Sequence, residues 1–205
     1  MGDAWVQAPV NALLTDLAQR GWSEQRSFLP DAWVASLRDE AERQWEAGEY
    51  HRAGVGSGDE HRVASEVRGD SVRWLDPRTA RPTQRAYLDL LELLRVEVNR
   101  NLFLGLFEVE AHASRYPPGA HYDRHLDRFV GSDARVLTCV LYLNDAWQPD
   151  DGGELSLETP AGELRVLPRA GTLASFVTEG MWHAVLPATR PRQSITTWFR
   201  QRPIG

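Results

Sequence analysis

The chain has 205 residues, enough for one sizeable core and short for two. Its hydrophobic content of 42% and charged content of 25% are those of an ordinary globular protein. A net charge of −6 weighs against nucleic acid as a partner, since a phosphate backbone is usually met by a basic face.

In chain order, the first half reads as largely helical. Val10, Leu13, Leu14 and Leu17 fall at helical spacing and Gly21 closes the run. Asp31 is placed to cap a second helix, with Trp33, Val34, Leu37, Ala41 and Trp45 on one face and an end near Gly48. A third helix begins after Pro82 on a stripe of Tyr87, Leu91, Leu94 and Val98, with Gly105 just beyond it. Between the second and third lies a glycine-rich polar stretch over residues 53–67, read as a mobile loop. From residue 107 the pattern changes. FEVEAHASRY alternates apolar and polar residues, and ARVLTCVLYLN is apolar on both faces. GELSLET, GELRVL, GTLASFV, HAVLP and RQSITTWF follow as short segments with turn residues between several of them. Many short punctuated strands predict an antiparallel sandwich or barrel, of which a jelly roll is one kind. The expectation is one α+β, β-rich domain over 1–205: helical support and the mobile loop in 1–105, and the β core in 106–201.

All 23 basic residues are arginine, so any cation that a site needs is a planar guanidinium fork. A single cysteine, Cys139, excludes an intramolecular disulfide and a multi-cysteine zinc site, and reads as a small buried hydrophobe. The N-terminus lacks a basic region followed by an apolar run, and no apolar run approaches the ~20 residues of a membrane span. The sequence therefore predicts a cytoplasmic protein with neither a membrane nor a nucleic-acid partner.

The chemistry concentrates in HYDRHLDRF, residues 121–129, where His-x-Asp occurs twice, as His121/Asp123 and His125/Asp127. On a strand, residues i and i+2 share a face, so either pair presents an imidazole beside a carboxylate. A distant third ligand would complete a facial 2-His-1-carboxylate site, whose open positions suit non-haem Fe(II). Zinc prefers fewer ligands and often sulfur. Of the six histidines, His183 alone lies in the late strand region, and Arg192 follows nine residues later at the head of RQSITTWF. A lone His-x-Asp is weak. His-x-Asp, about sixty residues of short strands, then His, then Arg in a Thr- and aromatic-rich strand is far more restrictive.

Six segments in order, VRGDSVRW, YPPGAHYDRHLD, LTCVLYLNDAW, GGEL, WHAV and RQSITTWF, together resemble the Fe(II)/2-oxoglutarate-dependent oxygenases. Within them they resemble the prolyl 4-hydroxylases of the hypoxia-inducible-factor type and their bacterial relatives. The resemblance runs from about Val67 to Phe199 and implies a double-stranded β-helix, or jelly roll. It assigns the second His-x-Asp pair to iron: His125, Asp127 and His183 as ligands. Arg192 and Tyr142 would then bind the far carboxylate of 2-oxoglutarate, with Thr196 lending a hydroxyl and Tyr116 lining the co-substrate cavity. Trp198 and Arg135 match positions that contact the target proline and its peptide. Asp70 and Trp74 match the base of a mobile loop that closes over a polypeptide. His121 and Asp123 fall where the family has no ligand; a regular strand would still put them on the same face. Implied cofactors and co-substrates are Fe(II), 2-oxoglutarate and O₂, with ascorbate as reductant. The implied activity is hydroxylation of a prolyl residue in a protein, elongation factor Tu being the candidate. The alternatives are a 2-oxoglutarate-dependent hydroxylase of a free amino acid or other small molecule, and a non-enzymatic jelly-roll metal- or ligand-binding module. A nucleic-acid demethylase is disfavoured because Trp198 stands where those enzymes carry a second arginine.

Overall fold

A computed structural model of the chain describes residues 4–54, 64, 66–127 and 135–202. Residues 55–63 and 65, most of the expected mobile loop, lie outside the described residues. Helix α1 spans Ala4–Arg20 and buries Val10, Leu13, Leu14 and Leu17. Gly21 ends it in the left-handed region (φ 77°), with its N–H on the Leu17 carbonyl. Helix α2 spans Asp31–Glu46. Its cap is Pro30 rather than Asp31, and no side chain caps it; Asp31 instead places its charge in the first turn, at the positive end of the helix dipole. Val34, Leu37 and Ala41 are buried, whereas Trp45 is half exposed, edge-on to Tyr50 and beneath the Arg115 guanidinium. Helix α3, Pro82–Leu102, buries the expected Tyr87, Leu91, Leu94 and Val98. Among the described residues no helix is long and apolar enough to cross a membrane.

The strands form two antiparallel sheets. In chain order they are β1 (Trp22–Gln25), β2 (His51–Arg52), β3 (Ser71–Trp74), β4 (Glu108–Tyr116), β5 (Tyr122–His125), β6 (Arg135–Tyr142), β7 (Leu155–Thr159), β8 (Gly162–Val166), β9 (Leu173–Val177), β10 (His183–Val185) and β11 (Arg192–Arg200). The large sheet runs β1-β9-β6-β11-β4-β3-β2 and the small one β5-β10-β7-β8. The first half is thus more than helical support, since β1 extends one edge of the large sheet and β2 and β3 extend the other.

Alternation along β6 explains its apolar run. Leu137, Cys139 and Leu141 join the layer buried beneath the three helices, together with Ile195 and Phe199 of β11. Val140 and Tyr142 face the other way and pack with Leu155, Leu157 and Val166 of the small sheet. The polar residues of the same inward face, Thr138 on β6 and Arg192, Ser194 and Thr196 on β11, together with Trp198, line a cavity between the sheets.

Two buried amides tie α2 to α3: Gln84 donates to the Gln44 carbonyl oxygen at 3.0 Å, and Gln44 returns a longer contact of 3.5 Å. Gln44→Leu strands a buried amide and is expected to cost about 1–3 kcal/mol. Replacing both residues by leucine removes the orphan, so urea unfolding should show the double variant recovering most of that loss.

Candidate metal centre and its cavity

The two histidines meet because the small sheet places them in register. His183 on β10 lies directly opposite His125 on β5, and their rings are 4.2 Å apart between centroids. Each Nδ1 is tied to a backbone carbonyl two residues earlier, His125 to Asp123 at 2.7 Å and His183 to Met181 at 3.0 Å. A carbonyl accepts only from N–H, so both rings are held with the proton on Nδ1 and a lone pair on Nε2. Those Nε2 atoms lie 3.7 Å and 3.6 Å from the Asp127 carboxylate.

Asp127 reaches from the end of β5 to the large sheet. Its Oδ2 accepts hydrogen bonds from the Thr138 hydroxyl at 2.7 Å and the Trp198 indole N–H at 2.8 Å. Thr138 and Trp198 are themselves register partners on β6 and β11, so the two donors are fixed relative to one another. Burial alone would raise the Asp127 carboxyl, but the two imidazoles, His183 first, hold it well below the usual carboxylate range. Burial pushes His125 down, whereas His183, though more deeply buried, is raised by the Asp127 charge.

Potential ligand atoms of His125, Asp127 and His183 all lie within 4.8 Å of one another. Two bonds of ~2.1 Å reach about 4.2 Å between ligand atoms, so one ion can bridge the imidazole–carboxylate separations seen here. Two neutral imidazole nitrogens and one anionic oxygen, with no thiolate, form the donor set that suits Fe(II). The residues present fit that ion.

The other His-x-Asp pair is elsewhere. His121 is half-buried and Asp123 exposed, and they contact each other at 3.3 Å. The regular strand on which all four residues would share a face is interrupted. Between the pairings His183↔His125 and Val185↔Tyr122, β10 advances two residues and β5 three, the signature of a bulge. The extra residue turns Tyr122 into the cavity, where it stacks on His125 with centroids 3.6 Å apart, and leaves 121 and 123 outside.

At the far end of the cavity Arg192 is only 2% exposed. Its Nε donates to the Gly153 carbonyl at 2.8 Å, and a long 3.5 Å contact reaches Ser194. These engage two of the fork's five N–H bonds, and no carboxylate among the described residues pairs with the charge. Tyr116, its register partner, and Tyr142 present their rings at 5.2 Å and 5.1 Å from the guanidinium carbon. The Tyr142 hydroxyl is buried without a hydrogen bond; burial pushes it up to about 12, with Arg192 pulling the other way. Gly153 sits at φ 72°, and a Cβ there would lie 2.9 Å from the Ala188 side chain and 3.3 Å from the Arg192 stem, so only glycine lets this backbone approach.

The residues expected at the substrate side separate into two groups. Trp198 lines the cavity and also holds Asp127, while Trp74 stands at its outer edge, 44% exposed. Arg135 and Asp70 do not line it. Arg135 is paired with Glu110 and covers the Trp198 ring at 3.8 Å, and Asp70 is buried in a two-bond pair with Arg68. Arg68 and Thr138 line the cavity too, inside two of the matched segments but without a role read from them, and His112 lines it from outside those segments.

A model described as the 2OG-Fe(II) oxygenase superfamily matches residues 111–200. A crystal structure of a prolyl-4-hydroxylase from Pseudomonas putida is 44% identical, with 94% of this chain and 99% of that chain covered and a TM-score of 0.86. A prolyl hydroxylase from Trichoplax adhaerens, in complex with a hypoxia inducible factor oxygen degradation domain peptide fragment, has a TM-score of 0.87 at 22% identity, over 98% of this chain and 94% of that one. Egl nine homolog 1 of Homo sapiens is 28% identical over 147 residues, 66% of this chain and 34% of that protein. The chain spans less than half the length of the curated relatives it matches. The shared jelly-roll fold and near-complete overlap with the Pseudomonas enzyme place this chain in the 2OG-Fe(II) oxygenase superfamily.

Proposed function

We propose that the protein hydroxylates a prolyl residue of a polypeptide, using Fe(II), 2-oxoglutarate and O₂. The observation that carries the reading is Arg192: a buried guanidinium without a countercharge among the described residues, on the wall of the cavity that also holds the His125, Asp127 and His183 cluster. A buried unpaired charge is costly, and it is tolerated where a ligand brings the opposite charge. A dicarboxylate satisfies both ends, one carboxylate in the arginine fork and the other with its keto group at the metal. The likeness to the Pseudomonas prolyl-4-hydroxylase supports proline as the target, and elongation factor Tu is the candidate that the family resemblance suggests. A cytoplasmic setting agrees with one buried, unbridged cysteine.

His125, Asp127 and His183 would hold the metal. Bound there with 2-oxoglutarate, Fe(II) supplies activation of O₂, coupling decarboxylation of the keto acid to succinate and CO₂ with hydroxylation of a C–H bond. The chain's own part is orientation. The Met181 and Asp123 carbonyls fix the imidazole tautomers, Thr138 and Trp198 aim the carboxylate, and Gly153 and Ser194 hold Arg192. Tyr116 and Phe176 close the walls against water, and Thr196 contributes a hydroxyl beside the co-substrate. Asp70, through Arg68, and Arg135, through its cover on Trp198, would support the substrate side from behind, with Trp74 at the mouth.

His125→Ala or Asp127→Ala should abolish succinate release and Mn(II) binding, whereas His121→Ala should keep most of both; loss only in the His121 variant would move the site to the other pair. Arg192→Ala should raise the 2-oxoglutarate KM by at least about tenfold, as expected for a charge-assisted pair; an unchanged KM would take the carboxylate elsewhere. Trp198→Phe removes one donor to Asp127 and should weaken Mn(II) affinity about 10–100-fold by titration calorimetry.

A further inference from the structure

Beyond these assignments, one buried polar group on the cavity wall stays unexplained. His112 is 2% exposed and lines the same cavity. Its Nδ1 is sealed from solvent and makes no full hydrogen bond to a described residue, although the Ala113 backbone lies close enough to act on the ring, and no hydrogen bond joins Nε2 to a described residue. The ring packs against two indoles that also touch each other: Trp74 edge-on at 5.2 Å and Trp198 tilted at 5.1 Å, with 6.2 Å between the two indole centroids. Register puts it there, since His112 pairs with Trp74 on β3 and with Thr196 on β11, while the Arg192–Tyr116 pair stands four residues along the same ladder. Burial, followed by the nearby Arg68, pushes the imidazole down to about 3, so the ring is neutral at working pH.

A neutral imidazole always carries one N–H and one lone pair. A leucine or methionine would fill the space beside the two indoles without an orphaned polar atom, which costs about 1–3 kcal/mol when buried. With Nδ1 sealed, Nε2 is the ring nitrogen a ligand can meet, and a polar group so placed on a cavity wall fits one whose partner arrives with the ligand. The exposed edge of Trp74 shows from which side, because the cluster of Trp74, His112 and Trp198 extends from the surface to the residue that holds Asp127. A prolyl residue has no backbone N–H; its amide offers only carbonyl acceptors, and its ring offers C–H bonds that suit flat aromatic faces.

We infer that His112 is a substrate-recognition residue, whose imidazole N–H donates a hydrogen bond to a peptide carbonyl next to the target proline while Trp74 and Trp198 pack against the pyrrolidine ring. The inference rests on the polypeptide reading given above.

The test begins with the wild-type enzyme, Fe(II), 2-oxoglutarate and a randomised pentapeptide library with proline at its centre, blocked at both ends. Mass spectrometry then selects the peptide turned over best, and KM values for that peptide and for 2-oxoglutarate are measured on His112→Leu, His112→Met and His112→Gln. The two apolar variants should raise the peptide KM about tenfold. Gln, which keeps an N–H donor, should stay within about threefold of wild type, and the 2-oxoglutarate KM should shift less than about twofold throughout. Thermal melting identifies variants that fold, and either apolar variant suffices. An unchanged peptide KM in a folded apolar variant, an equal rise in the 2-oxoglutarate KM, or a Gln variant no better than Leu would each overturn the assignment while leaving prolyl hydroxylation intact. A wild-type enzyme that oxidises no library peptide would sink the polypeptide reading itself, and His112's role with it.

Discussion

The site depends on one buried carboxylate held between two sheets. Asp127 belongs by sequence to the small sheet, immediately after β5, yet both hydrogen bonds to its Oδ2 come from the large one, through Thr138 and Trp198. An ionised carboxylate out of water is affordable only when its lone pairs are answered by donors or cations. Two neutral donors meet Oδ2, which the His183 Nε2 also faces, while the His125 Nε2 faces Oδ1, so the imidazoles and whatever ion they share address both oxygens. The consequence is directional. Because Thr138 and Trp198 are register partners, rotation of the carboxylate away from the histidines would break two hydrogen bonds at once. Registry between the sheets is thus converted into registry of the ligand set, and the fold's β-pairing carries the precision of the metal centre.

The opposite end of the cavity is organised by the same strand. Arg192, Ser194, Thr196 and Trp198 are alternate residues of β11 on one face, all lining the cavity. Alternate residues of a strand cannot slide relative to each other, so the spacing between the cation and the Asp127 anchor is set covalently and by pleat geometry. The reverse face carries Ile195, Thr197 and Phe199 into the layer beneath the helices. A one-residue slip of β11 would therefore bury Arg192 among leucines and expose Phe199 to the cavity. The hydrophobic layer specifies the register that the chemistry requires. The helices act on function in this indirect sense: they make the wrong register expensive.

Much of this was legible in the chain. The three helices follow from periodicity, and the late strands from short apolar segments with turn residues between several of them. The association of His125, Asp127, His183 and Arg192 came from order and spacing together with family resemblance. Less legible were features whose cause lies outside the local sequence. WSEQ and HR become strands because existing sheet edges offer them partners, and neither has apolar alternation; SVRW alternates, but over only four residues, too short to mark a strand in isolation. Asp31 looked like a cap, but the backbone enters α2 through Pro30, whose fixed φ suits a helix entrance without any side-chain bond. Thr138 was hidden because a threonine in an apolar strand is ordinary, and only the partner arriving from β5 gives it a role.

The doubled His-x-Asp shows most sharply where sequence spacing stops being informative. Even spacing puts residues 121, 123, 125 and 127 on one face of any regular strand, so no periodicity argument separates the two pairs. What separates them is the bulge in β5, and its anchors are non-local. The Val67 carbonyl takes the N–H of Asp123, Gly69 donates to the His121 carbonyl, and Arg68 bridges to Tyr122. These contacts come from a segment over fifty residues earlier, where Gly69 is already so close to Ala120 that a Cβ on it would sit 2.8 Å from the alanine side chain. That close approach presses the segment onto β5, Tyr122 rolls inward over His125, and the outer pair is left in solvent. The pairing that leaves the outer pair outside therefore leans on a glycine remote in sequence but in contact with His121, whose missing Cβ lets the two backbones meet.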